Sequence, residues 1–428
     1  MQAARAILGS ALVYSFANAF TAAVPILLLP LLTRILSPAD YGLVAMFGLL
    51  VQLLGAVSGL SVHGAVGMRF FERENLDFPR YVTSALGVML VSSAVMLVIV
   101  LTLTPLLEQV FGLPRLWLLL GVAASAANFV TQVQLSIWQS ARSPFRFAAL
   151  RIGQSLLDLA ATLLLVLGLA MAWEGRIGGI MLAAVLTSLT AAVTLRRGGW
   201  TGFPVEPAYM ANAVRFGAPL VPHALGGLLV ASIDRLMITN ILDVANAGVY
   251  FVAIQIGLII NLATDAFNRA FAPWLIESLK IASPERDRLL VKATYGCFAL
   301  LLAGGLLVGL LAPYAVAVAV GPEFRAAGEL VIYIAVGQAF GGMYYLVTNY
   351  VFFAGRTAHL AVVSVSAGLL NVALSYVLLS RYGLVGAGVA FVAAQVLLFA
   401  GTFALAARSH PMPWLSVLRS HSSGGSRR

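Results

Sequence analysis

Among the polar and ionisable side chains that interrupt otherwise apolar runs, nine are of types that bear on what chemistry is open to the chain. Asp158 stands about ten residues into the run 148–172, roughly 15 Å deep at 1.5 Å per residue, with no basic residue within a turn. A carboxyl placed there loses its hydration, which favours its neutral form, so it could take a proton from one side and release it to the other. Asn18 in the run 7–32 and Asn128 in the run 114–138 cannot titrate. Their amides could orient the carboxyl or share a bound Na+ through oxygen. The plainer alternative for Asp158 is a protonated or hydrogen-bonded packing residue.

A second group is cationic. Arg215, His223, Asp234 and Arg235 lie along 212–237, with His223 about 12 Å beyond Arg215 if the run is one helix. Asp265 and Arg269 close the run 246–271 at i, i+4, a spacing that lets them pair on one helix face. A guanidinium presents a planar fork that grips two oxygens of an anion together. The plainer alternative for Asp234–Arg235 and Asp265–Arg269 is a local ion pair or a topological anchor. Enzymatic signatures are missing: no phosphate-binding Gly-rich loop followed by Lys and Ser/Thr, and no zinc-ligand spacing. Cys297 is the only cysteine, which rules out an intrachain disulfide and a thiolate metal cluster. The chain is expected not to be an enzyme and to need no cofactor beyond a coupling H+ or Na+.

These residues must be carried by membrane-spanning helices. Only 10% of the 428 residues are charged and mean hydropathy is +0.96, whereas soluble domains carry about 25% charged residues. Apolar runs recur at roughly 7–32, 39–64, 81–104, 114–138, 148–172, 177–195, 212–237, 246–271, 290–312, 326–353, 358–380 and 384–407. Each is long enough for the roughly 20 residues that a bilayer requires. An all-α membrane protein of about twelve transmembrane helices follows, since unpaired strands are too costly in hydrocarbon. With the N-terminus inside, twenty of the 26 basic residues fall at cytoplasmic ends and loops, and both termini are cytoplasmic. The net charge of +10 therefore reads as topology, and no nucleic-acid partner is expected.

The segment TRILSPADYG at 33–42 recurs as TNILDVANAG at 239–248, an offset of 206 residues. Weaker echoes follow in order: Gly112 and Pro114 with Gly321 and Pro322, Ala-Arg-Ser at 141–143 with Gly-Arg-Thr at 355–357, and Leu-Leu-Asp at 156–158 with Leu-Leu-Asn at 369–371. They mark a duplication of six helices in two parallel repeats, because an even number preserves orientation. The expected division is an N-terminal lobe over 1–205, a C-terminal lobe over 206–407, and a largely disordered cytoplasmic tail over 408–428.

TRILSPADYG, FGAPLVPHALGGLLVASIDRLMI at 216–238, NAGVYFVAIQIG at 246–257, GPEF at 321–324 and AGR at 354–356 together resemble the polysaccharide-export flippases. That family shares a superfamily with the multidrug-and-toxin extruders and the lipid II flippase. The resemblance implies two lobes that rock about a central cavity. It also implies movement of a polyprenyl-pyrophosphate-linked oligosaccharide from the cytoplasmic to the periplasmic leaflet of a bacterial inner membrane. Arg215, Arg235 and Arg269 would then line a cationic cavity for pyrophosphate or acidic sugars. Asp158, Asn18 and Asn128 would correspond to the extruders' cation site, from which the chain departs by offering Asn18 where helix 1 of that site carries an acid. Implied partners are the lipid-linked substrate, membrane lipids, and polysaccharide polymerase and assembly proteins. Two alternatives stay open: a cation-coupled drug or metabolite antiporter on the same scaffold, and a membrane glycosyltransferase or polymerase.

Overall fold

The computed structural model describes residues 2–281 and 283–414, and every element among them is helical. In chain order these are α1 (Gln2–Ile35), α2 (Pro38–Val57), α3 (Val62–Arg69), α4 (Phe78–Thr102), α5 (Thr104–Phe111), α6 (Arg115–Ser140) and α7 (Pro144–Leu163). There follow α8 (Trp173–Arg197), α9 (Pro207–Gly217), α10 (Leu220–Ile241), α11 (Val244–Leu279), α12 (Pro284–Ala319), α13 (Ala327–Phe353) and α14 (Thr357–Ser409). Ten helices are long and apolar enough to cross a membrane, and the bent pair Leu220–Leu229 with Ala231–Ile241 supplies an eleventh. The longest, α14, is itself two helices joined at Gly383 (φ 59°), which brings the described residues to the twelve spans expected.

The repeated motif has a local structural cause. In the first copy Ser37 caps α2: its Oγ accepts from the Asp40 backbone N–H at 3.2 Å, and Asp40 Oδ2 accepts from the Ser37 N–H at 3.0 Å. In the second copy Asp243 Oδ1 accepts from the Asn246 N–H at 2.7 Å, and Asn246 Nδ2 donates to Asp243 Oδ2 at 2.9 Å. Each copy satisfies an orphan N–H in the first turn of a helix. Each then carries a glycine five positions after its capping residue, Gly42 and Gly248.

The second span is broken midway. Gly59, Leu60 and Ser61 all adopt left-handed backbone (φ 69°, 48° and 58°) between α2 and α3. The Gly59 N–H, freed from the helix ladder, donates to Ser92 Oγ of α4 at 2.8 Å, and a Cβ at Gly59 would strike the Phe129 ring. A backbone break inside a span survives where neighbouring helices supply the missing partners.

The seventh span corrects an expectation. A single helix over 212–237 would place Arg215 on the helix of Asp234 and Arg235; instead α9 ends at Gly217 and α10 begins at Leu220. Pro219 supplies no N–H and stops the ladder there. Close packing holds α9 elsewhere: a Cβ at Gly217 would fall on the Leu60 carbonyl oxygen.

Contacts divide the chain into two compact units, Met1–Phe251 and Val252–Arg428, with α11 running across the division. This is a division by packing, and the repeat boundary near 205 is a separate matter of sequence. In the first unit Phe70, Phe78, Tyr81 and Phe129 anchor one buried cluster, and Phe47 of α2 packs edge-on to Trp117 of α6 in another. The second unit buries Phe298, Tyr350, Phe271 and Trp414 together. Trp414 lies in the expected disordered tail, yet it is 6% exposed and its carbonyl accepts from Tyr295 Oη at 3.0 Å. Residues 415–428 lie outside the described residues. Leu300, Leu310 and Val318 of α12 and Leu164 and Leu167 after α7 stand bare, as side chains facing lipid do.

Candidate functional site

In the first unit α7 carries Arg151, Gln154, Ser155, Asp158 and Thr162 at i, i+3, i+4, i+7 and i+11, which puts all five on one helical stripe. Three neighbouring helices meet it. Ser155 Oγ donates to Thr21 Oγ1 of α1 at 3.1 Å, and Gln154 Nε2 donates to Asn128 Oδ1 of α6 at 3.4 Å. From α8, Arg176 Nη1 reaches Asp158 Oδ1 at 2.5 Å and Thr162 Oγ1 at 2.7 Å, while Nη2 reaches Asp158 Oδ2 at 3.3 Å.

The lone carboxyl expected at 158 is therefore a bidentate ion pair. The side chains are 19% exposed for Asp158 and 8% for Arg176. A short connection turns α8 back against α7, so residues equidistant from its midpoint near 167 come opposite one another. Gly179 permits the approach, since a Cβ there would fall on Thr162 Oγ1. Neither Asn18 nor Asn128 hydrogen-bonds Asp158: Asn128 meets Gln154, and Asn18 is half-buried one turn before Thr21 on α1. The expected three-residue cation cluster is thus not assembled around the carboxyl. Among the described residues, Arg151 Nε on α7 and Tyr14 Oη on α1 are buried with no partner. Sequence reasoning missed Arg151, Gln154, Ser155 and Arg176, although the helical spacing of the first three with Asp158 was visible in the chain.

The cationic residues lie on three helices, α9, α10 and α11. Arg235 is 5% exposed; its Nη2 donates to Ser232 Oγ at 2.5 Å and its guanidinium lies 5.3 Å from the centre of the Phe251 ring. Asp234, also buried, accepts from Tyr250 Oη at 3.3 Å. Arg215 is exposed on α9. The side chain of His223 lies outside the described residues.

Arg269 belongs to the second unit. The expected i, i+4 pair forms there: Arg269 Nη2 and Nε donate to Asp265 Oδ2 at 2.8 and 3.0 Å, both side chains well exposed. The same stretch of α11 carries Asn268, whose Oδ1 accepts from Asn349 Nδ2 of α13 at 2.8 Å, and Asn261, whose Nδ2 donates to Gln338 Oε1 at 3.3 Å. The two units thus each present a polar stripe on one helix. Among the described residues no group of three or more His, Cys, Asp and Glu side chains could hold a metal ion.

Comparison with known proteins places this architecture. The lipid II flippase MurJ in an inward closed conformation superposes with a TM-score of 0.72 at 11% identity, covering 99% of this chain and 93% of that one. A multidrug resistance MATE family transporter in an outward-facing conformation gives 0.63 at 14% identity, covering 96% of each. These likenesses show the fold. A Lsg locus protein of Haemophilus influenzae is 22% identical over 363 residues, covering 82% of this chain and 86% of its own length. The family described as polysaccharide biosynthesis protein matches residues 7–279, well over half of the 428. The resemblance legible in the repeated motif and its companions is borne out: the chain belongs to the polysaccharide biosynthesis protein family.

Proposed function

We propose that the chain is a flippase that moves a polyprenyl-pyrophosphate-linked oligosaccharide from the cytoplasmic to the periplasmic leaflet of a bacterial inner membrane by alternating access. The observation that carries the reading is the packing of the two motif copies on each other at Gly42 and Gly248, in a chain of the polysaccharide biosynthesis family. Alternating access needs duplicated halves with a junction that can part, and a symmetric contact between duplicated segments is such a junction. With both termini in the cytoplasm, the junction lies at the periplasmic end and closes the exit.

Within this reading Arg269 is the substrate's cation. Asp265 holds its guanidinium extended and exposed, and a pyrophosphate competes for the same fork. Arg215, exposed on α9, is a second candidate. Arg235 is enclosed in this conformation and would meet substrate only after the junction opens. Coupling through Asp158 would require a proton or Na+ to displace Arg176.

The test is export in a strain deleted for the gene, joined to flipping of a labelled lipid-linked oligosaccharide by the purified protein in proteoliposomes. Substrate-dependent flipping that needs Arg269 supports the reading. Export of small cations with no effect on the glycan lipid would transfer the chain to the antiporters.

A further inference from the structure

Where α7 begins and α8 ends, the first unit holds a pocket of about 550 Å3. Arg146 and Arg197 enter it together with Trp138, Trp200, Leu150 and Thr194, and no acidic residue lines it. Neither arginine is paired with a carboxylate among the described residues. Behind Thr194 lies Gln134, wholly buried: its Oε1 accepts from Thr194 Oγ1 at 3.4 Å and its Nε2 has no partner among the described residues.

Two uncompensated guanidiniums in one concavity present the donors that a phosphate oxygen set would fill. The pocket has the size of an ordinary small-molecule site. Its position at the ends of two spans is the headgroup level of a bilayer, where indoles with one apolar and one polar edge gather. Basic residues there attract anionic lipids. The wall formed by Leu150 and Trp138 gives the start of an acyl chain apolar contact. We propose that this pocket binds the phosphate headgroup of an anionic phospholipid.

A diffuse basic surface would also attract such lipids, so the test must separate a pocket from a field. The full-length protein is purified in detergent, exchanged into mixtures of phosphatidylglycerol and phosphatidylcholine, and its retained lipid is counted by native mass spectrometry. Arg146→Gln with Arg197→Gln should reduce retained phosphatidylglycerol by at least about tenfold. Arg142→Gln with Arg196→Gln removes the same charge from exposed neighbours that do not line the pocket, and should leave retention unchanged. Arg146→Lys with Arg197→Lys preserves charge and solubility but loses the fork, and should retain an intermediate amount. Equal losses in both glutamine pairs, or a loss in neither, would overturn the proposal. So would retention of inorganic phosphate with the same arginine dependence and no preference for the anionic lipid.

Discussion

Gly42 and Gly248 pack reciprocally: a Cβ at Gly42 would fall on the carbonyl oxygen of Val244, and one at Gly248 on the carbonyl oxygen of Pro38. Val244 precedes Gly248 by the four residues that separate Pro38 from Gly42, and both pairs differ by the repeat offset of 206. The same patch therefore meets itself, which is the signature of an isologous two-fold contact. It also sets the two copies at one depth, as a parallel duplication demands.

Substitution at either glycine should be costly because the obstructing atom is backbone and cannot rotate away. Gly42→Ala and Gly248→Ala are each expected to lower stability by about 1–3 kcal/mol. The double variant should depart from additivity, since the two sites share one contact. Thermal unfolding followed by size-exclusion of the detergent-solubilised protein measures this; a single variant at wild-type stability would show that the contact yields freely.

The Asp158–Arg176 pair makes removal of the acid costly. Asp158→Leu leaves a guanidinium that is 8% exposed without its counter-charge, at a cost of about 3–5 kcal/mol. Asp158→Leu with Arg176→Met removes both charges and should recover most of that loss. If Asp158→Leu alone matches wild type in thermal unfolding, the pair contributes nothing to the fold and a role in coupling gains weight.

Twelve apolar runs, the capped motif and its glycines could be read directly, because they are local or strictly periodic. Arg176 is not legible as the partner of Asp158 because helical spacing reports neighbours within one turn, whereas a tight hairpin brings together residues on either side of its midpoint. The break at Pro219 was hidden by hydropathy, which sees α9 and α10 as one apolar run. Trp414 was assigned to a tail by its polar and basic neighbours, although an indole among Tyr295, Tyr350 and Phe403 has more apolar surface to bury than that tail suggests.

Trp414 itself is testable. Trp414→Ala empties a site 6% exposed at the centre of the second unit's aromatic cluster and should cost about 3–5 kcal/mol. Tyr295→Phe removes only the hydrogen bond to the Trp414 carbonyl and should cost about 1 kcal/mol. A Trp414→Ala variant no less stable than Tyr295→Phe would mean the indole is not part of the core.

Arg269→Ala is expected to abolish glycan export while the protein stays in the membrane at wild-type abundance. Arg269→Lys should rescue only in part, because an ammonium is a point charge and lacks the fork. Surface labelling of the glycan, with abundance read by immunoblot, separates the two. Full export by Arg269→Ala would reduce the residue to an anchor held by Asp265.

The junction that carries the functional reading can be locked. Within the second copy of the repeated motif, the exposed Asn240 donates through Nδ2 to the Val110 carbonyl oxygen at 2.9 Å. Val110 is half-buried against the first unit's core, and cysteine is close enough to valine in size to keep that site largely filled. Cys297 is the only native cysteine, so Cys297→Ser gives a background in which Val110→Cys and Asn240→Cys form a single defined pair. Oxidation should cross-link that pair in the resting protein and arrest flipping in proteoliposomes, because the exit cannot open. Reductant should restore the rate, and each single-cysteine variant should flip normally under the same oxidant. Complete cross-linking with undiminished flipping would mean that this contact stays closed throughout the cycle, and that access alternates about a different junction.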